Sequence, residues 1–185
     1  MVPSFFEYSV AGADTTAVAI RLALLFLLTN PSAHDTLRRE IDSLSAAGKI
    51  SSPVTNSEAT AMPYLQAVIK ETLRMHPPAT DRHWKIVPEG GATLHGIPVP
   101  AGTMVGLNVL YIMRSKDVFG VDADVWRPER WIEAAAEDEK LGGTSSRYRN
   151  MINTVEAVFS HGRYICLGKS LAWTEMNKGV VEVRR

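Results

Sequence analysis

The residue with the most distinctive chemistry in this sequence is Cys166, the only cysteine among 185 residues. Gly162 and Gly168 stand four residues before and two residues after it, and Phe159 stands seven residues before it. Glycines allow positive φ and close backbone approach, so this stretch predicts a loop that presents a thiol at the start of the following helix. There the helix dipole would favour a thiolate. A lone cysteine is often a small buried apolar residue, however, and the loop alone leaves both interpretations open.

A second candidate is the run of small and polar residues from Ala11 to Thr16 inside a long apolar segment. The run is unusual for a helix interior, because glycine costs roughly 1 kcal/mol relative to alanine there and threonine is also unfavourable. Small residues permit close approach of a flat group, and Asp14 beside the Thr15 hydroxyl is able to relay protons. By itself the run favours a simpler interpretation, a helix-packing notch with Asp14 capping or solvated.

A third candidate is the pair Glu71 and Arg74, three residues apart on a predicted helix. Residues at this spacing meet on the helix surface. The apolar stripe of this helix, from Leu65 to Leu73, lies on another side. Periodicity alone therefore favours an exposed ion pair worth a few tenths of a kcal/mol.

Composition restricts the classes of partner and site. Twenty basic and twenty acidic residues cancel, so no net field favours nucleic acid or an anionic membrane surface, and we expect no nucleic-acid partner. One cysteine excludes a disulfide framework and predicts a reduced intracellular compartment. It also argues against structural zinc, because the five histidines are scattered without ligand spacing.

No targeting or membrane segment is predicted. The first ten residues lack the basic and apolar regions of a signal peptide. The most apolar run, Ala17 to Leu28, has only twelve residues and contains Arg21. It is too short to span a bilayer, so the sequence predicts a buried helix here.

Periodicity and breakers predict a mainly α chain with a small β region. A loop with at most a short helical turn is expected over 51–60, and an alternating β pattern with glycine turns over 92–103. A returning strand is expected over 104–109, an irregular stretch from 117 and a loop over 142–153. Helices are predicted over 5–28, 31–47, 63–75, 111–116, 133–140 and 169–182.

Four motifs in this order resemble those of the cytochrome P-450 family, the haem-thiolate monooxygenases, and especially its filamentous-fungal members. Ala11–Thr16 resembles the oxygen-activating segment of the family's long central helix, and Glu71-Thr-Leu-Arg74 matches its E-x-x-R motif. Pro128-Glu-Arg-Trp131 is similar to the P-E-R-F/W element, and Phe159 to Gly168 fits F-x-x-G-x-x-x-C-x-G. Each motif alone has false positives. The four in family order extend the resemblance over essentially all 185 residues.

The resemblance implies the C-terminal part of the family's fold: a long central helix, the E-x-x-R helix, a small sheet, a meander, the cysteine loop and a following helix. Cys166 would be the proximal thiolate ligand of haem iron. Phe159 would pack beside the haem, and Gly162 and Gly168 would permit the tight wrap of the loop.

The resemblance also assigns roles to the other motifs. Ala11 and Gly12 would leave room for dioxygen, and Asp14 with Thr15 would be the acid–alcohol pair that supplies protons for oxygen activation. The carboxylate and guanidinium groups of three further residues would form a buried ion triad that is structural rather than catalytic. These residues are Glu71, Arg74 and Arg130.

The sequence departs from the family pattern at one position of the cysteine loop. Many members place an arginine two residues before the cysteine, where it contacts a haem propionate. Here that position is Tyr164, which donates one hydrogen bond but carries no charge, and Arg163 stands one residue earlier. For a second propionate contact, in the strand after the E-x-x-R helix, the best match is Lys85, followed by Arg82.

The resemblance also predicts organisation and partners. Residues 1–185 would form a partial cytochrome P-450 domain without the N-terminal half and the terminal hairpin. The intact protein would use haem, O2, a small organic substrate and an NADPH-dependent reductase, anchored in the endoplasmic reticulum membrane; the chain itself lacks the anchor and would be intracellular.

Two alternatives remain open from the sequence. One is a catalytically inactive, truncated remnant of such an enzyme. The other is a cysteine-nucleophile enzyme that uses Cys166 with His161, which needs an orienting Asn or Asp that the sequence does not indicate.

Overall fold

A computed structural model describes residues 5–80, 83–143 and 146–184. The predicted class, mainly α with a small β region, is confirmed. The helices of the described residues are α1 (Phe5–Thr29), α2 (Pro31–Ala46), α3 (Asn56–Thr60), α4 (Pro63–Met75), α5 (Val109–Ile112), α6 (Lys116–Phe119), α7 (Glu129–Lys140), α8 (Ser146–Glu156) and α9 (Lys169–Arg184). The strands are β1 (Lys85–Ile86), β2 (Ala92–Leu94), β3 (Ile97–Val99) and β4 (Met104–Val105).

Helix α4 is the centre of the core. It is buried along almost its whole length, and helices α1, α2, α3, α7, α8 and α9 pack around it. Pro63 occupies its first turn, where a missing N–H costs nothing. The Glu40 carboxylate of α2 accepts hydrogen bonds from the amides of Tyr64 (2.9 Å) and Leu65 (3.0 Å). Burial raises the pKa of Glu40, although the two amides act in the opposite direction.

Helix α1 packs on α4 and α9 through one face only. A Cβ at Gly179 of α9 would lie 3.2 Å from Ile20 Cδ1, so glycine permits the close approach of these two helices. The prediction of a largely buried helix is wrong in extent, because Val10, Leu25 and Leu28 are exposed. By length and composition alone, Ser9–Thr29 (21 residues, mean hydropathy 1.7) is able to cross a bilayer, a test that core helices of soluble proteins also pass.

The β region consists of two separate antiparallel pairs, β1 with β4 and β2 with β3. Lys85 lies opposite Val105 in the first pair. The strand predicted over 104–109 is wrong beyond Val105. Asn108 ends it, because its side chain accepts a hydrogen bond from the Tyr111 amide (3.1 Å) and caps α5.

Several helix boundaries in the C-terminal half differ from the prediction. The single helix predicted over 111–116 is wrong, because α5 ends at Ile112 and α6 begins at Lys116. Helix α7 begins at Glu129 rather than 133, inside the stretch expected to be irregular. The loop predicted over 142–153 is wrong, since α8 begins at Ser146. Its apolar positions, 148, 151, 152 and 155, have helical spacing and contribute to the core, but arginines and asparagines between them obscure the pattern.

Candidate active site

The loop between α8 and α9 holds Cys166 in a defined backbone conformation. The Cys166 amide donates a hydrogen bond to the Phe159 carbonyl (2.8 Å), which closes the loop. Gly162 has φ of +62°, a conformation that side chains disfavour. The Ile165 amide then bonds to the Gly162 carbonyl (3.1 Å), so the turn before the cysteine is tight.

The thiol of Cys166 is exposed at the beginning of α9. The Lys169 amide donates to the Cys166 carbonyl (3.3 Å), and a Cβ at Gly168 would lie 3.9 Å from Cys166 Sγ. The interpretation of Cys166 as a small buried residue is therefore wrong. Ile165 and Leu167 on either side of it are also exposed, 45% and 76%, so apolar surface borders the thiol.

Phe159 lies behind this loop as a buried side chain. Its ring centroid is 6.3 Å from that of Trp173 on α9, and Lys169 Nζ is 5.8 Å from the same ring. The aromatic seven residues before the cysteine thus joins the loop to the helix that follows.

The structure brings two of the proposed propionate contacts together. Lys85 Nζ lies 3.9 Å from the centroid of the Tyr164 ring, a cation–π contact between β1 and the cysteine loop. Tyr164 is 58% exposed, and Lys85 is half-buried. Arg82 lies outside the described residues.

The segment from Ala11 to Thr15 lies on the part of α1 that is not covered by other helices. Ala11, Gly12 and Asp14 are exposed, and a Cβ at Gly12 would meet nothing within 4 Å. Gly12 therefore forms no helix-packing notch with the described residues, whereas the exposed Asp14 agrees with the part of that interpretation in which its carboxylate is solvated. Thr16, the last residue of the run, is buried. Thr15 Oγ1 donates to the Ala11 carbonyl (2.8 Å), and in the described part of the chain no hydrogen bond joins it to Asp14. Adjacent helical residues point in different directions, which explains the lack of contact.

Glu71 lies at the centre of a buried network and is fully excluded from solvent. Its Oε1 is 2.8 Å from Arg74 Nη2 and 2.9 Å from Arg130 Nε. Both arginines are equally buried, so the exposed-pair interpretation from periodicity is wrong. Trp131 Nε1 donates to Glu71 Oε2 (2.9 Å), and the Arg127 amide donates to Oε1 (2.8 Å). The Glu71 carboxylate thus accepts hydrogen bonds from four residues, which belong to two segments of the chain.

The arginines of this network also bind the irregular stretch that precedes α7. Arg74 donates to the carbonyls of Met113 (2.8 Å) and Ala123 (2.6 Å). Arg130 donates to Asp122 Oδ1 (2.9 Å), and this hydrogen bond is the main cause that lowers the pKa of Asp122 to about 2. Sequence reasoning missed Asp122 and the indole of Trp131. Only the tryptophan had a signal, its place in the P-E-R-W motif.

The arrangement needed for a cysteine nucleophile is not assembled here. His161 is exposed, and no hydrogen bond joins it to Cys166 or to an Asn or Asp side chain among the residues that the structure describes. Without an orienting partner the histidine is not a positioned base.

The chemistry of the exposed residues fits a haem group. A soft sulfur donor suits iron, and the apolar side chains beside it suit a porphyrin face. Lys85 with Tyr164 provides a cation and a phenolic donor for a carboxylate. At Gly12 of α1, a Cβ would meet no atom within 4 Å, so there is open space on this helix. Within the described residues no cluster of three or more His, Cys, Asp or Glu side chains forms another metal site.

Comparison with known proteins agrees with this chemistry. The family model described as Cytochrome P-450 matches residues 2–183. Cytochrome P-450 monooxygenase aba1 of Botryotinia fuckeliana (strain B05.10) is 43% identical over 176 residues, which cover 95% of this chain and 33% of the relative. Cytochrome P-450 monooxygenase ABA1 of Pyricularia oryzae (strain 70-15) is 44% identical over 177 residues, 95% of this chain and 33% of the relative.

A third relative has a different name. Pisatin demethylase of Fusarium vanettenii is 38% identical over 175 residues, 95% of this chain and 31% of the relative. The chain thus spans about a third of the length of the curated relatives it matches. Since the family model covers nearly the whole chain, the chain belongs to the cytochrome P-450 family.

Proposed function

We propose that this chain forms the haem-binding part of a monooxygenase that inserts one oxygen atom of O2 into an organic substrate, with Cys166 Sγ as the axial iron ligand. The observation that carries the proposal is the exposed thiol on a loop whose backbone is closed by the Cys166 amide and the Phe159 carbonyl (2.8 Å). Family membership supports it.

When bound, haem supplies the iron at which O2 is activated for insertion into the substrate. Cys166 Sγ would ligate the iron of a bound haem, and its thiolate would supply electron density to that iron. Phe159 packs behind the thiol and keeps the loop against α9. Gly162 takes the positive φ that the turn before the cysteine uses, and Gly168 lies beside the sulfur.

Lys85 and Tyr164 hold a propionate of the haem in this proposal. Lys85 offers the positive charge and Tyr164 its hydroxyl proton, and the two side chains already contact one another. Arg82 is a second candidate for the same role. The pair would replace the arginine that many family members place two residues before the cysteine.

On α1, Ala11 and Gly12 leave room for dioxygen, because their exposed backbone carries little side-chain bulk. Asp14 and Thr15 would hold and move protons toward dioxygen. The Thr15 hydroxyl now donates to the Ala11 carbonyl (2.8 Å), so it would have to turn away from that carbonyl to give its proton to dioxygen, while Oγ1 takes up a replacement proton from the side of Asp14.

The buried triad of Glu71, Arg74 and Arg130 acts as scaffold. It ties α4 to α7 and to the stretch before it through charge-assisted hydrogen bonds. None of the three side chains is exposed, so their role is to hold the elements behind the site in place.

The partners follow from the family. We propose a small organic substrate, O2, and an NADPH-dependent reductase as electron donor, with the intact protein at the endoplasmic reticulum membrane. The name of one relative says that it demethylates pisatin, which is compatible with a small organic substrate here.

The test is the reduced carbon monoxide difference spectrum of the haem-reconstituted chain. Thiolate ligation predicts a red-shifted band, and Cys166→Ala should lack it while keeping the helix content of the wild type. A reconstituted wild-type sample without this band, or an alanine variant that retains it, would contradict the proposal.

A further inference from the structure

An ion pair joins the two ends of the loop that carries Cys166. Glu156 is the last residue of α8, and Lys169 is the first residue of α9. Lys169 Nζ contacts Glu156 Oε2, and the two side chains are only 33% and 25% exposed. The pair therefore closes the base of the segment 157–168.

Each of these charges stands at the unfavourable end of its own helix. A carboxylate is disfavoured at a helix C-terminus, and an ammonium group at an N-terminus, by the helix dipole. Glu156 and Lys169 both violate this preference. A local conflict of this kind is often found where function requires it. Here the conflict is relieved because each charge meets the other across the loop.

Lys169 contacts the interior of the loop as well as its base. Its amide donates to the Cys166 carbonyl (3.3 Å), and its Nζ lies 5.8 Å from the ring centroid of Phe159, within cation–π range. The Glu156 Oε2 atom is buried and accepts no hydrogen bond from a neutral group in the described part of the chain. Lys169 is thus the group that compensates its charge.

We propose that Glu156 and Lys169 are positioning residues for Cys166: their ion pair closes the base of the cysteine loop and holds the thiol where the haem iron binds. The consequence for haem rests on the proposed function above. The closure of the loop does not, and it is measurable on the chain alone.

The experiment is hydrogen–deuterium exchange of segment 157–168 in the full chain without haem. Glu156→Gln and Lys169→Gln should each speed exchange of this segment roughly twofold to fivefold, the loss expected for a partly shielded ion pair. The charge-swapped double variant E156K/K169E restores the pair with charges that also suit both helix dipoles, so its exchange should return close to the wild-type rate. Asp42→Asn, which breaks the exposed Arg38–Asp42 pair of α2, is the matched control and should leave the segment unchanged.

Haem uptake, followed by the Soret absorbance, provides the second readout. Both single variants should bind haem more weakly, and the swapped variant should recover. The proposal is overturned if the single variants exchange at the wild-type rate, if they change exchange in opposite directions, or if the swapped variant stays as fast as the singles. Failure of the proposed function looks different: the wild type then lacks the thiolate band, whatever the exchange rates are.

Discussion

The network around Glu71 and the loop around Cys166 differ in how far the chain satisfies its own chemistry. Glu71, Arg74 and Arg130 are fully buried, and every charge has partners within 3 Å. Cys166 and Asp14 are exposed, as are their neighbours Ile165, Leu167 and Gly12. The first region is complete without any ligand. The second presents a sulfur donor, a cation and an open notch, which the proposed function uses to bind haem and dioxygen. Under that proposal, stability and haem binding depend on different parts of the molecule.

The largest expected effect is on the buried network. Glu71→Gln removes the carboxylate paired with Arg74 and leaves buried Arg130 with Asp122 as its remaining counter-charge, so the free energy of unfolding should fall by about 3–5 kcal/mol. Urea denaturation measures this. The matched control is Glu137→Gln, whose exposed pair with Arg147 should contribute about 1 kcal/mol or less. Equal losses for the two variants would contradict the comparison.

The second-largest loss of stability is expected when the hydrogen bond of the Trp131 indole is removed. Trp131→Phe keeps most of the buried ring but removes the hydrogen bond to Glu71 Oε2 (2.9 Å), which should cost about 1–3 kcal/mol. The same substitution in a Glu71→Gln background should cost less, because the charged acceptor is already lost. Additive losses in this cycle would show that the hydrogen bond contributes nothing.

Asp122, at the edge of the network, should make a smaller contribution to folding stability, and this contribution should depend on pH. The hydrogen bond from Arg130 lowers its pKa from 3.8 to about 2, so the unfolded chain binds the proton more tightly than the folded chain does. This stabilisation is present above pH 4 and is lost as the pH falls towards 2. The melting temperature of Asp122→Asn should therefore lie below that of the wild type at pH 7, and the two should converge between pH 4 and pH 2. A gap that does not narrow would contradict the assignment.

The smallest effect on stability is expected at the site itself. Cys166→Ala and Asp14→Asn change exposed side chains that make no contact the fold depends on, so the free energy of unfolding should change by about 0.5 kcal/mol or less. Urea denaturation of both variants beside Glu71→Gln provides the measurement. A loss at Cys166 as large as that at Glu71 would remove the distinction between scaffold and site.

The helices that periodicity and prolines define were predicted well, since α2 and α4 begin at Pro31 and Pro63 as expected. Helix α8 was missed because charged residues interrupt its apolar stripe. The burial of Glu71 was not predictable from periodicity, because helical periodicity gives information only about residues of the same helix. Its partners Arg130 and Trp131 are about sixty residues away, and only the resemblance to a family indicated one of them.

For the candidate site, the sequence indicated which residues take part, but neither their exposure nor the contacts between them. The cysteine loop and the Ala11–Thr16 run were identified from residue types. The exposure of Cys166 and Asp14 and the burial of Thr16 are properties of packing that no short motif contains. The contact between Lys85 and Tyr164 joins a strand to a loop 79 residues later, so neither residue alone indicated it. The same holds for Glu156 and Lys169, which look like ordinary surface charges in the sequence.

X-ray absorption at the iron edge of the haem-reconstituted chain tests the central claim most directly. An iron–sulfur scattering path should be present in the wild type and replaced by a lighter scatterer in Cys166→Ala, with no change in the unfolding free energy beyond about 0.5 kcal/mol. An iron bound through nitrogen or oxygen in the wild type, or a sulfur path that survives the substitution, would contradict the assignment of Cys166 as the ligand.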